Sequence, residues 1–213
     1  MTFPSKKFEI CMPENQCVSI LLCGASRAGK TTLLKHLYQT YFSKHITTMF
    51  TMNSHADIYK DLSKDMMVAN TFHPELLREA QEINSLCDNR YNFLWISDDY
   101  VGKEIKCDKE VVRVMTVGRN CGQSSIWSAQ GRTLLSAIGR NNANYIMILK
   151  QQTPLEWECV IKEFLSMWLP TGMRMKEMVE FCKIATQNYQ MFVIDNLKGE
   201  CYLTKLTKEQ AGL

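Results

Sequence analysis

The chain has 213 residues, of which 46% are hydrophobic, and its 25 basic and 22 acidic side chains leave a formal net charge of +3. That length suits one well-buried core and is short for two, so a single domain over 1–213 is expected, with 1–15 as a peripheral N-terminal segment. The scattered charges argue against a polybasic arm or acidic tail, the polar Met1–Ile10 stretch against a signal peptide, and the lack of an apolar run of about 18 residues against a membrane span.

Nine cysteines occur without a C-x-x-C pair, which fits reduced, mostly buried thiols in a soluble, non-secreted protein better than disulfides or zinc. From Gln16 onward, short apolar runs alternate with helical patterns, the signature of βαβ units and a parallel sheet. Residues 3–15 are expected to form an edge segment leading into the first central strand, 17–23. Next comes Gly24-Ala25-Ser26-Arg27-Ala28-Gly29-Lys30-Thr31, which matches the phosphate-binding G-x-x-x-x-G-K-[ST] pattern between a strand and a helix. Gly24 and Gly29 let the backbone curl so that its N–H groups point inward, Lys30 reaches the β and γ phosphates, and the Thr31 hydroxyl holds Mg²⁺. The cradle predicted to bind a nucleoside triphosphate runs from Gly24 through Thr32, with the N-terminal dipole of the following helix behind it.

The stripe Leu33, Leu37, Tyr41 marks that helix. A strand follows at 46–52, and Pro74 opens a second helix with Leu76, Ala80, Ile83 and Cys87 on its predicted core face. The strand at 92–98 is apolar and ends in Asp98-Asp99. A triphosphate site needs a carboxylate to complete the Mg²⁺ shell, and Asp98 is the candidate; Asp99, one residue on, points differently and is placed to orient or deprotonate water. Lys103, Lys106, Lys109 and Arg113 recur every three to four residues, enough to align phosphate contacts along one side of a helix, although Glu104, Asp108 and Glu110 between them also fit a solvated mixed-charge face. The strand at 124–129 ends on Gln130. If it is inserted between the phosphate-loop strand and the acidic strand, Gln130 faces the γ-phosphate. Arg119 before it and Arg140 after it are candidate arginine fingers.

A strand at 144–150 precedes Thr153-Pro154-Leu155-Glu156, a capping box with proline at the first helical position. Trp157, Ile161, Phe164 and Trp168, then Met175, Met178, Cys182 and Ala185, are predicted core faces of the last helices. The strand 191–195 turns at Asn196-Leu197-Lys198-Gly199 into Cys201–Thr204, a C-terminal β-hairpin.

The ordered series resembles the genome-packaging ATPases of poxviruses, nucleocytoplasmic large DNA viruses and virophages, within the FtsK and HerA superfamily of P-loop motors. It consists of the loop at 24–31, the strand ending Asp98-Asp99, Gly118-Arg119 leading to Ser124-Ser125-Ile126 and Gln130, Arg140–Ile146, and Asn188–Asp195. The resemblance covers most of Phe8–Thr204 and implies an α/β fold of the RecA-like ASCE P-loop NTPase type, with a mainly parallel central sheet flanked by helices. It further implies ATP and Mg²⁺ as cofactors, a homo-oligomeric ring around double-stranded DNA, a capsid vertex or portal partner, and residence in the host cytoplasm, the viral factory or the virion. On that model Asp99 activates water, Gln130 reports the γ-phosphate, Arg119 reaches a neighbouring subunit and Arg140 supports it. Asp99 stands where many members of the superfamily carry Glu. Three other readings stay open: a GTPase, since Asp99-Tyr100-Val101-Gly102 fits D-x-x-G although no Asn-Lys-x-Asp segment reads guanine; a small-molecule kinase, with Arg132 and Arg140 as sparse lid material; and a nucleotide-dependent assembly scaffold.

Overall fold

The structure, a computed structural model, describes residues 3–13, 17–52, 57–60, 62–98, 105, 108–129 and 136–210. Among these, β1 (Ser19–Cys23), β2 (Ile46–Phe50), β3 (Met67–Ala69), β4 (Phe93–Ser97), β5 (Gln123–Ala129), β6 (Tyr145–Ile148), β7 (Met191–Asp195) and β8 (Glu200–Thr204) form one sheet. Its order is β3-β2-β4-β5-β1-β6-β7-β8. The first six strands in that order run parallel, whereas β7 is antiparallel to β6 and β8 to β7. This is the α/β fold with a mainly parallel sheet and a C-terminal hairpin that the sequence predicts. β5 lies between β1 and β4, the insertion on which the expected role of Gln130 depends; Gln130 itself, like Asp99, Tyr100–Gly102, Lys103, Lys106 and Arg132, lies outside the described residues.

Every residue of β1 is buried, as a parallel strand covered on both faces requires. Alternation then sorts its side chains: Leu21 and Cys23 join one core cluster, Ile20 and Leu22 the other. The first cluster is closed by α3 (Pro74–Leu86), α4 (Lys109–Thr116), α6 (Pro154–Val160) and α7 (Met175–Ala185). On the opposite face lie α1 (Lys30–Leu37) with its π-helical continuation Tyr38–Phe42, Tyr59 from α2 (Asp57–Lys60), and Phe8 and Ile10 of the N-terminal segment. Ser5 bridges to Leu203, and the Tyr145 hydroxyl donates to Cys11 O at 3.0 Å, which brings residues 5–11 alongside β8 and β6.

Two local expectations are corrected. β3 is absent from the predicted strands because three residues are too few for alternation to register. In α3, Ile83 is 56% exposed and Leu86 85%, while Leu77, Ala80, Gln81 and Asn84 face inward. The polar pair is buried because its amides are satisfied there. Asn84 Nδ2 donates to Tyr91 O and Cys121 O, both at 2.8 Å, and its Oδ1 accepts from Tyr91 N at 3.0 Å. Those bonds tie α3 to the strand ends and rotate the apolar stripe away from its predicted face. The capping box forms as expected, with Glu156 N donating to Thr153 Oγ1 at 3.2 Å and Thr153 N to Glu156 Oε2 at 2.9 Å. In the hairpin, Asp195 Oδ1 accepts from Leu197 N and Lys198 N at 2.9 and 3.0 Å, and Gly199 takes φ 66°.

Candidate nucleotide-binding site

Residues 24–29 leave the C-terminal end of β1 and are rooted between its neighbours: Gly24 N donates to Ala129 O of β5 at 3.1 Å, and Ala25 N to Lys150 O beyond β6 at 2.9 Å. Gly24 is buried so tightly that a Cβ would lie 2.9 Å from Leu149 Cβ. Arg27 and Gly29 adopt φ 61° and 95°, which turns the loop back into α1. Gly29 is the N-cap of α1, and the first amides of a helix have no intrahelical carbonyl to bond, so they face the loop as donors.

Lys30 is 5% exposed and its Nζ donates to Gly24 O and Ala25 O, each at 2.9 Å. The loop's own carbonyls thus hold the ammonium at the mouth of the cradle. Ser26, Arg27, Gly29, Lys30, Thr31 and Thr32, closed on one side by Tyr189, line a cleft of about 260 Å³, with no carboxylate among the described residues of its wall. Two cations, a helix N-terminus and curled backbone amides make it an anion site. The structure therefore gathers most of the predicted cradle, with buried Gly24 and Ala28 and half-buried Ala25 forming the root beneath it.

Asp98 follows β4, two strand spacings (about 10 Å) from β1. Leu94 and Ile96 of β4 belong to the core cluster beneath α1, so alternation carries Asp98 to the same face as Thr31. Its carboxylate is fully buried; Oδ2 accepts the Tyr59 hydroxyl at 2.9 Å, whereas Oδ1 has no hydrogen-bond partner among the described residues. A buried carboxylate oxygen left bare fits a cation. No cluster of three or more His, Cys, Asp or Glu exists among the described residues. Tyr59 was not read from the sequence, and no local pattern around it gives a signal, since its role arises from a contact with a residue 39 positions away.

The two arginines part company. Arg140, at the end of α5 (Ala137–Asn141), donates through Nε and Nη2 to Glu163 Oε1, both at 2.8 Å, and its side chain is 14% exposed. Its guanidinium and the Lys30 ammonium oppose the burial that pushes the Cys23 thiol up to about 12. Arg119 lies in the 3₁₀ turn Gly118–Cys121 ahead of β5, at the sheet edge opposite the phosphate loop. Tyr189, another residue missed in the sequence, falls in the 3₁₀ turn Gln187–Tyr189 rather than in the strand that begins at Met191.

A model of the family described as Poxvirus A32 protein matches residues 5–201. Among solved structures, the chain is similar to the genome packaging NTPase B204 from Sulfolobus turreted icosahedral virus 2 in complex with sulfate, at 16% identity and a TM-score of 0.65, over 90% of this chain and 97% of that one. The same NTPase in complex with ATP-γS gives 16% identity and a TM-score of 0.59, covering 89% and 97%. ATPases 2 and 3 of EssC from Geobacillus thermodenitrificans give 12% identity and a TM-score of 0.63, over 89% of this chain and 39% of that one. No curated protein matches the sequence.

Proposed function

The chain belongs to the poxvirus A32 protein family, and from that premise we propose that it is an ATP-hydrolysing genome-packaging motor that moves viral double-stranded DNA into a preformed capsid. The observation that carries this reading is the pairing of a phosphate cradle around Lys30 with a fully buried Asp98 whose Oδ1 has no hydrogen-bond partner among the described residues, on a sheet with β5 inserted between their two strands. The similar fold of a genome packaging NTPase obtained with ATP-γS supports it. Among the described residues no helix is long and apolar enough to cross a membrane.

In this mechanism the backbone amides of 24–29 and the N-terminus of α1 bind the β and γ phosphates, and Lys30 leaves the loop carbonyls to bridge them. Thr31 and Asp98 would hold Mg²⁺, which neutralises phosphate charge. Tyr59 orients Asp98 by donating to Oδ2, which leaves Oδ1 as the atom that would serve as a ligand. Asp99 aligns the attacking water, Gln130 couples the state of the γ-phosphate to the chain, and Arg119 enters the site of a neighbouring subunit in a ring around DNA.

Phosphate release from ATP, titrated with long double-stranded DNA at two salt concentrations, tests the proposal. DNA is expected to stimulate turnover, less so at higher salt because phosphate contacts release counterions. Lys30→Ala should abolish turnover and Asp99→Asn should keep nucleotide binding while stopping hydrolysis. Turnover indifferent to DNA, or transfer of phosphate to a small acceptor, would overturn the motor.

A further inference from the structure

Tyr189 combines three properties that rarely coincide. It is 74% exposed although large and aromatic, it sits at φ 59° directly after Asn188 at φ 54°, and its ring carbons Cδ1 and Cε1 lie 3.4 and 3.9 Å from where a Cβ on Gly29 would stand. A bulky residue in the left-handed region is an outlier, and two such residues in succession persist only where their surroundings hold them. Here both sides hold them. Thr186 N and Oγ1 anchor the turn to Cys182 O at 3.1 and 2.9 Å, Gln190 N closes on Gln187 O at 3.1 Å, and β7 begins one residue later. Because β7 is antiparallel to β6, its first residues lie at the C-terminal edge of the parallel strands, beside the phosphate loop.

Tyr189 separates two clefts. On one side is the cationic phosphate cradle; on the other, a cleft of about 390 Å³ runs between Arg27 and Lys150 and the turn residues Thr186, Gln187, Asn188 and Gln190. Among the described residues its wall has no carboxylate, and three of its side chains are amides, each offering both hydrogen-bond donors and an acceptor. The first cleft, with a helix N-terminus and curled backbone amides beside its cations, suits a triphosphate; the second has the cations Arg27 and Lys150 but also three side-chain amides, a lining that suits a flat hydrogen-bonding ring adjoining the phosphates, and Tyr189 lines both.

Resting on the nucleotide reading above, we propose that Tyr189 is the stacking platform for the nucleobase, and that the amides of Gln187, Asn188 and Gln190 read the edge of that base. The turn's hydrogen bonds fix the backbone that carries the ring, and the ring already rests against Gly29, so less ordering is left to the binding step. Tyr189 is thereby a binding and specificity residue for the base; to the phosphate cleft it gives one wall and no charge.

The test is calorimetric titration of wild type, Tyr189→Ala and Tyr189→Phe with ATP-γS and with tripolyphosphate, which carries the phosphates and no base, in one magnesium buffer. Tyr189→Ala should weaken ATP-γS by about 5- to 150-fold, the range for loss of one base–aromatic stack, and leave tripolyphosphate within about twofold. Tyr189→Phe should restore ATP-γS binding, since the ring is retained. Equal weakening of both ligands by Tyr189→Ala, or no weakening of ATP-γS, would overturn the stacking role while the nucleotide reading stands. Lys30→Ala is the counterpart, expected to lose both ligands. Wild-type protein that binds neither overturns the nucleotide reading and this one with it. Because Tyr189 is so exposed, an unchanged melting curve for Tyr189→Ala is expected and separates lost affinity from lost fold.

Discussion

Gly122 and Gly24 are glycines for different reasons, and the difference decides what each substitution does. A Cβ on Gly122 would stand 2.4 Å from Tyr91 O and 2.5 Å from Asn84 Nδ2, and its φ is +71°, so neither space nor conformation admits a side chain. Gly122→Ala should lower the unfolding free energy by about 2 kcal/mol or more, read from a urea midpoint. At Gly24 the obstacle is space: a Cβ would stand 2.9 Å from Leu149 Cβ, an atom bonded directly to the main chain, so its alanine variant should lower stability as well as nucleotide affinity. The thiols offer a second check at this scale. Burial pushes Cys23, Cys182 and Cys201 up to about 12 from an ordinary value of 9.0. The stability gained by keeping them neutral is complete below about pH 9 and is lost as pH rises from there toward 12, because only the unfolded chain then ionises freely. A labelling pulse at pH 8 should modify exposed Cys11 and spare these three until denaturant is added; labelling of Cys23 in the native protein would contradict its burial. Of the site residues, Gly24, Lys30 and Thr31 are legible as a motif because their chemistry depends on spacing within eight residues. Tyr59 is not, because only the fold brings it to Asp98.

Helix ends were legible where their signals are local. The Thr153–Glu156 box and Pro154 lie where the sequence puts them, and Thr153→Ala should cost about 1 kcal/mol of stability, measured by thermal or urea unfolding, with ATP turnover little changed. Asp108 caps α4 in the same manner, its Oδ1 accepting from Glu110 N at 2.8 Å and Val111 N at 3.1 Å. Helix faces were less legible. A periodicity count treats Gln81 and Asn84 as outward residues, but their amides meet carbonyl and sulfur acceptors from the ends of the strands, and a polar group with its bonds made can take the core side of a helix. β3 escaped for a related reason: its pairing to β2, Thr48 with Met67 and Phe50 with Ala69, is set by the partner strand and not by its own three residues.

At the scale of the molecule, strand polarity divides the protein into two edges. The phosphate loop, Asp98 and Tyr189 occupy the C-terminal edge of the parallel strands, and the Gly118–Cys121 turn with Arg119 the other. The seven residues of β5 put about 23 Å between the edges, beyond the reach of one side chain, so the role proposed for Arg119 requires another copy of the chain. Mixing Arg119→Ala subunits with active ones should therefore depress ATP turnover out of proportion to their fraction, whereas strict proportionality would mean that no site is shared. The sequence by itself determined the phosphate loop, the acidic strand end, the alternation of strands with helices and the terminal hairpin, because each is written in contacts or periods that span a few neighbouring residues. Tertiary structure alone decided that β5 separates β1 from β4, that α3 turns its amides inward, and that Tyr59 and Tyr189 converge on the site, because each of these depends on residues distant in the chain finding a partner that satisfies them.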